Sequence, residues 1–160
     1  MREIVSFGCV FLYVSVNPDV QRNRMIKLII ADDHNRVRQA WVFILSRNPD
    51  IQIVAECSNG KEAIEAVKHH CPDVVLMDIN MEPMNGIEAA QVISQTCSNT
   101  KVIGMSVHAD MAYVNKMLEV GAIGYVTKNS PSEEMVKAIH NATRGKTYLC
   151  KEIQELVKSN

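Results

Sequence analysis

Three aspartates and one lysine stand at the ends of separate apolar runs. Asp32 and Asp33 follow Lys27–Ala31, Asp78 follows Asp73–Met77, and Lys128 follows Ile123–Thr127. Ser106 ends a further run, Lys101–Met105, and Tyr125 lies inside the run before Lys128. If those ends meet, the carboxylates repel: two like charges ~4 Å apart cost roughly 4 kcal/mol at an effective dielectric near 20. Lys128 supplies one positive charge. A hard divalent cation would supply the rest, and an oxygen-only site with room for water suits Mg²⁺. No set of His and Cys residues stands with them to favour zinc. A carboxylate in such a site is a nucleophile toward phosphorus. Phosphoryl transfer asks mainly for positioning and charge neutralisation, which a cation and Lys128 offer.

Taken singly, each residue has an ordinary explanation. An Asp ahead of a helix is a helix cap, Asp78 is a loop residue, Lys128 a solvated lysine and Ser106 a strand-end hydroxyl. The joint pattern carries the chemistry, and it depends on the elements that place it. From Met25 onward, short Val- and Ile-rich runs alternate with amphipathic stretches; Ile51–Glu56 completes the set of five runs. The runs are mostly continuous, as in strands covered on both faces. Between them, Val37, Trp41, Ile44 and Leu45 share one face of a helix over about residues 35–47. Asn59-Gly60 and Asn85-Gly86 open two more, Val114, Met117 and Leu118 mark a fourth closed by Gly121, and Ser130-Pro131 opens a fifth with Ser130 as N-cap. The fivefold strand–helix alternation predicts a doubly wound α/β domain with a parallel sheet. Ligands in such sheets bind beyond the carboxyl ends of the strands, where these residues fall.

The remaining composition is that of an ordinary globular chain. Among 160 residues, 47% are apolar and 22% charged, with a formal net charge of −1. That balance exerts no general pull toward nucleic acid or an anionic membrane. Cys9, Cys57, Cys71, Cys97 and Cys150 are odd in number and include no Cys-x-x-Cys pair, which argues for small buried hydrophobes in a reducing cytoplasm. Ile4–Val16 is apolar but short of the ~20 residues a spanning helix needs, and Glu3 spoils a signal-peptide n-region. Residues 1–24 are expected to lie outside the domain, as a disordered arm or the product of an upstream start, with an edge strand as the other reading. After Gly145, a loop through Tyr148 and a short charged helix over Lys151–Lys158 are expected, as in a linker.

Ala31-Asp32-Asp33-His34, Leu76-Met77-Asp78-Ile79-Asn80-Met81, Met84-Asn85-Gly86, Gly104-Met105-Ser106 and Gly121–Lys128 together resemble the receiver domain of two-component response regulators, in its NarL/LuxR (FixJ-type) branch. The likeness runs from about Met25 to Gly145. It implies a flavodoxin-like, CheY-like (βα)5 fold with strand order 2-1-3-4-5. It also implies that Asp78 is the phosphoacceptor and that Asp33 is the main acidic Mg²⁺ ligand, with Asp32 acting through water and Asn80 through its backbone carbonyl. Lys128 would pair with Asp78 and then with its phosphoryl oxygens. Ser106 would be the switch hydroxyl and Tyr125 the aromatic that turns inward with it, while Asn80 and His108 flank the path of the hydrolytic water. Such a domain is not an enzyme beyond its own phosphorylation and dephosphorylation. It takes its phosphoryl group from a sensor histidine kinase in the cytoplasm. It then controls either an output domain, with transcription as the expected result, or a partner met by protein contact, a phosphorylation-dependent homodimer included.

Two positions depart from the family pattern. Glu82 stands where proline is frequent, with Pro83 one later, and Asn129 follows Lys128 in place of proline. No basic recognition helix is present, so the chain by itself is not expected to bind DNA. The face of the fourth helix, fifth strand and fifth helix, with Tyr113, Met117 and Lys137, is the expected output surface. Two other readings share the architecture. A flavodoxin-like cofactor binder wants a phosphate loop where Asp32-Asp33 would repel it. A phosphatase of the haloacid dehalogenase type wants an acid where Asn80 stands.

Overall fold

The computed structural model describes residues 2–7, 10–15 and 24–159. Of the N-terminal extension, strands β1 (Arg2–Phe7) and β2 (Val10–Ser15) pair antiparallel with each other, in a two-stranded sheet separate from the main one; Cys9 and the remainder of 1–23 lie outside the described residues. The main sheet is built from β3 (Ile26–Ala31), β4 (Ile51–Cys57), β5 (Val74–Asp78), β6 (Lys101–Ser106), β7 (Gly124–Thr127) and β8 (Tyr148–Leu149). Its order is β4-β3-β5-β6-β7-β8, and every pairing is parallel. The first five strands keep the anticipated 2-1-3-4-5 order. The sixth is an addition: where a loop is predicted through Tyr148, Tyr148 and Leu149 pair with Gly124 and Tyr125.

The helices are α1 (Asn35–Leu45), α2 (Gly60–His70), α3 (Gly86–Thr96), α4 (Met111–Glu119), α5 (Ser132–Thr143) and α6 (Lys151–Ser159). α1 packs against α5 on one face, and α2, α3 and α4 pack in sequence on the other, as right-handed crossovers require. The central strands are therefore covered twice and are buried throughout. β4 lies at the edge and exposes Gln52 and Glu56, so the run that reads as continuous there is only half covered.

Local chemistry sets the helix starts. Asn59 and Asn85 each accept a hydrogen bond from the backbone three residues on, Glu62 N and Glu88 N, and the Glu62 carboxylate in turn accepts one from Ser58 N. The fifth helix starts differently from the sequence expectation. Pro131 occupies the cap position with an extended ψ of 146°. The Ser130 hydroxyl has gone instead to Thr127 Oγ1 at 2.9 Å, which also donates to Glu152 of α6 at 2.9 Å. Lys151 N donates to the buried Glu134 carboxylate at 3.0 Å, and Cys150 and Ile153 are fully buried. The C-terminal helix is thus docked on β7 and α5.

Three further expectations change. Met117 faces the core with no exposure, beside Gly104, and is not a surface contact. Lys137 lines a groove between α1 and α5 with Phe43 and Arg47, away from α4. Cys57 and Cys150 are buried, but Cys71 is exposed and Cys97 half-buried; all four are free thiols.

Gly86 fixes the start of α3 against the site. Its amide donates to Ile79 O at 2.9 Å, and a Cβ there would lie 1.9 Å from the Asp78 carbonyl oxygen. Backbone cannot yield as a side-chain tip does. Gly86→Ala should lower the unfolding free energy by about 1–3 kcal/mol, and Asn85→Ala beside it by about 1 kcal/mol; urea melts of both variants measure this order.

Candidate functional site

The carboxyl ends of β3, β5, β6 and β7 form one rim, because all four strands are parallel and adjacent. Asp32 leaves β3 with its amide held by Cys57 O at 3.0 Å. Its Oδ1 accepts from His34 N at 2.8 Å, which turns the chain ahead of α1; the helix itself has no side-chain cap, so the capping role expected of an Asp at this point is not taken up. Its Oδ2 lies 2.7 Å from Lys128 Nζ. Asp78 ends β5 and places Oδ2 2.8 Å from the same ammonium. Asp32 and Asp78 are 0% and 1% exposed, and among the described residues Lys128 is the partner of these two Oδ2 atoms. Asp33 is the open member, with its side chain 34% exposed. Ligand atoms of Asp32, Asp33, His34 and Asp78 all lie within 4.8 Å of one another.

The electrostatics follow from two buried carboxylates sharing one ammonium. Burial pushes Asp78 above its ordinary value; Lys128 pulls it down, Asp32 pushes it up again, and the net direction is upward. Burial pushes Lys128 down, but its contacts with both carboxylates outweigh that and hold it above its ordinary value. A one-to-one ion pair would lower the acid while raising the base. Both rise here because burial of Asp78, with a smaller push from Asp32, outweighs the pull of Lys128, while Lys128 gains from two carboxylates at once. Lys128 is therefore charged at neutral pH.

The remaining predicted site residues are placed as follows. Asn80 is exposed and its amide stands 3.4 Å from Asp78 Oδ1. Tyr125 is fully buried, pointing inward, and its hydroxyl donates to Ser106 Oγ at 2.9 Å. Ser106 Oγ in turn donates to the His108 carbonyl at 2.5 Å, so this hydroxyl is turned toward the loop after β6. The His108 ring position is exposed. At the two departures from the family pattern, Asn129 Nδ2 donates to Val107 O at 3.3 Å and the Glu82–Pro83 peptide is cis.

Two residues of the site were not singled out from the sequence. His34 brings Nδ1 to 2.7 Å from Asp33 Oδ1; its position directly after the paired acids was the available signal. Arg38 donates through Nη1 to the Asp32 carbonyl at 2.5 Å. Helical side chains lean back toward the helix N-terminus, which brings a residue of the first turn over the preceding loop.

A doubly wound parallel sheet with an acidic pocket and a lysine on its carboxyl rim narrows the class further than the fold does alone. Residues 28–140 match the family model described as the response regulator receiver domain, and the chain belongs to that family. It is 36% identical over 134 residues to the transcriptional regulatory protein DegU of Brevibacillus brevis, covering 84% of this chain and 56% of that one. It is 38% identical over 125 residues to the oxygen regulatory protein NreC of Staphylococcus epidermidis, covering 78% and 57%. A LuxR-family two-component response regulator from an Aurantimonas species superposes with a TM-score of 0.80 at 30% identity, covering 84% of this chain and 96% of that one. These likenesses place the chain in the NarL/LuxR branch. It spans somewhat over half the length of the curated relatives it matches. No helix among the described residues is long and apolar enough to cross a membrane.

Tyr125 gives the site a pH signature. Burial first, then nearby charges, push its phenol up to about 12 despite the hydrogen bond to Ser106. The phenol of the unfolded chain ionises near 10, so the contribution is fully present below pH 10 and is lost as pH rises toward 12. Lys128 and Tyr148 shift in the same direction, so a difference between two proteins isolates Tyr125. Urea melts from pH 7 to 12 should show wild type losing about 2–3 kcal/mol more than Tyr125→Phe over the alkaline end.

Proposed function

We propose that this receiver domain takes a phosphoryl group onto Asp78 from the phosphohistidine of a sensor histidine kinase and relays the change to an output. One observation carries the reading: Asp78 and Asp32, both buried, face the single ammonium of Lys128 at 2.8 and 2.7 Å, with Asp33 open beside them. An Asp78 carboxylate oxygen bonds to phosphorus as the bond to the kinase imidazole breaks, and its electron pair leaves with the imidazole nitrogen. Lys128, already 2.8 Å from Asp78, turns to the phosphoryl oxygens. Asp78 is 1% exposed, so entry of the donor requires Lys128 or the loop after Asp78 to move aside.

The donor set fits Mg²⁺. It consists of carboxylate oxygens of Asp33 and Asp78 and the backbone carbonyl of Asn80, with Asp32 contributing through water. The two buried Oδ2 atoms that share one lysine leave the pocket short of positive charge. Bound Mg²⁺ would neutralise charge on the transferring group. His34 would release Asp33 Oδ1, which it now holds at 2.7 Å.

Ser106 and Tyr125 form the proposed switch. The phosphoryl group adds about −1.5 to −2 charges and three acceptor oxygens. Ser106 Oγ would leave His108 O to donate to it, and Tyr125, already inward, follows the hydroxyl it is bonded to. Charge-assisted hydrogen bonds made only in the phosphorylated state contribute ~1.5–3 kcal/mol each, and each 1.4 kcal/mol shifts the population about tenfold. Asn80 and His108 are proposed to tune dephosphorylation. Residues 25–145 are the proposed receiver unit, with 146–160 leading from it toward an output. The regulatory names of the relatives favour transcription as that output. A phosphorylation-dependent homodimer is a compatible intermediate, and the cytoplasm is the proposed location.

Treatment with Mg²⁺ and a small acyl phosphate should add one phosphoryl group by intact mass, removed by hydroxylamine and absent in Asp78→Asn. An adduct that persists in Asp78→Asn would assign the acceptor elsewhere. Ser106→Ala should still be phosphorylated, but amide exchange over residues 106–130, altered by phosphorylation in wild type, should change little in the variant.

A further inference from the structure

Arg38 lies beside the acidic pocket, and its side chain is only 15% exposed, with both terminal nitrogens hydrogen-bonded and Nε facing a carboxylate. Nη1 donates to the Asp32 main-chain carbonyl at 2.5 Å. Nη2 donates to Asn35 Oδ1 at 3.0 Å. Nε is 3.4 Å from Glu56 Oε2, an ionic contact rather than a hydrogen bond. Glu56 is fixed in turn by Gln39 Nε2, which donates to the same oxygen at 2.5 Å. The carbonyl that Arg38 grips belongs to the peptide joining Asp32 to Asp33, and the Asp32 amide on the other side is held by Cys57 O of β4.

We propose that Arg38 is a positioning residue for the cation site: anchored to Glu56 on β4, its guanidinium clamps the Asp32–Asp33 peptide and so sets the direction of the Asp33 carboxylate. The proposal rests on the Mg²⁺ site of the proposed function. A rigid fork is what the task requires. Guanidinium holds its donors in one plane, so the single bond from Nη1 to Asp32 O is aimed by the contacts of Nη2 with Asn35 and Nε with Glu56 beside it. Lysine in its place keeps the charge but holds a single point. Without the fork the peptide is free to turn about the Asp32 backbone, which carries Asp33 away from Asp78 while Asp32 stays tied to Lys128. The plain alternative is that Arg38 only joins helix α1 to strand β4. That role would affect stability and leave the metal alone.

Isothermal titration of the full chain with Mg²⁺, beside urea melts, separates the two. Arg38→Lys should remain folded and weaken Mg²⁺ affinity at least about tenfold, the range seen when groups that orient metal ligands are removed. Glu56→Gln, which keeps Arg38 and loosens its anchor, should weaken it by a smaller factor. Wild-type affinity in Arg38→Lys would overturn the proposal, since charge alone would then suffice. So would a stability loss in both variants with unchanged affinity. Absence of Mg²⁺ binding by the wild type would instead remove the metal site itself, and the clamp with it.

Discussion

Two carboxylates and one ammonium are buried together at the ends of three different strands, and the rest of the domain is arranged around that imbalance. Neither Asp32 nor Asp78 could stand there alone: an uncompensated buried charge costs several kcal/mol. Lys128 partly compensates both, at 2.7 and 2.8 Å, but leaves one negative charge over before Asp33 is counted. The pocket is built to hold more positive charge than its own residues bring. Evolution toward pure stability would have replaced such a cluster with apolar side chains, which often stabilise by comparison. A buried excess of negative charge therefore supports the proposed cation site, and the oxygen donor set favours Mg²⁺ for it.

The sheet order makes the cluster possible. β3 and β5 are neighbours, so Asp32 and Asp78 leave the sheet side by side; β7 is two strands further on, beyond β6. Lysine has the reach to cross the end of β6, and its backbone amide is tied there, to Ser106 O at 2.7 Å. Ser106 thus supports Lys128 with its carbonyl while its hydroxyl joins Tyr125 to the His108 carbonyl. The groups proposed to answer phosphorylation are held by one strand end. Gly86 closes the other side, admitting the start of α3 to a distance that a methyl group would forbid.

What was legible in the sequence was what periodicity and charge encode. Continuous apolar runs marked the five main strands to within about one residue at most ends, and acids at run ends marked the rim. What escaped depended on competition between side chains far apart in sequence. Ser130 looks like a helix cap until Thr127 and Glu152 take its neighbourhood. Tyr148 follows Gly145-Lys146-Thr147 and reads as loop, yet the free edge of β7 takes it up as a further strand. Met117 shares the apolar face of its helix with Val114, so its own periodicity points it inward, beside Gly104, and the expectation of a surface contact runs against that pattern. Arg38 is one of several polar residues in the first part of α1 and carries no signal of its own; only the fold shows that its Nη1 meets the Asp32 carbonyl.

The same contacts bear on how a change at the pocket would travel. β7 is held on one side by β6 and on the other by β8, where Cys150 N donates to Tyr125 O at 3.0 Å and Thr127 Oγ1 donates to Glu152. Tyr125 therefore bonds to the switch hydroxyl through its side chain and to the C-terminal segment through its backbone. Thr127 adds a second tie to α6 one residue before Lys128. A displacement of the Ser106 hydroxyl needs no long chain of intermediates to be felt by α6, because one four-residue strand carries both connections. Packed interiors move between discrete arrangements more readily than they deform, so a strand gripped from both edges is suited to transmit a choice between two states.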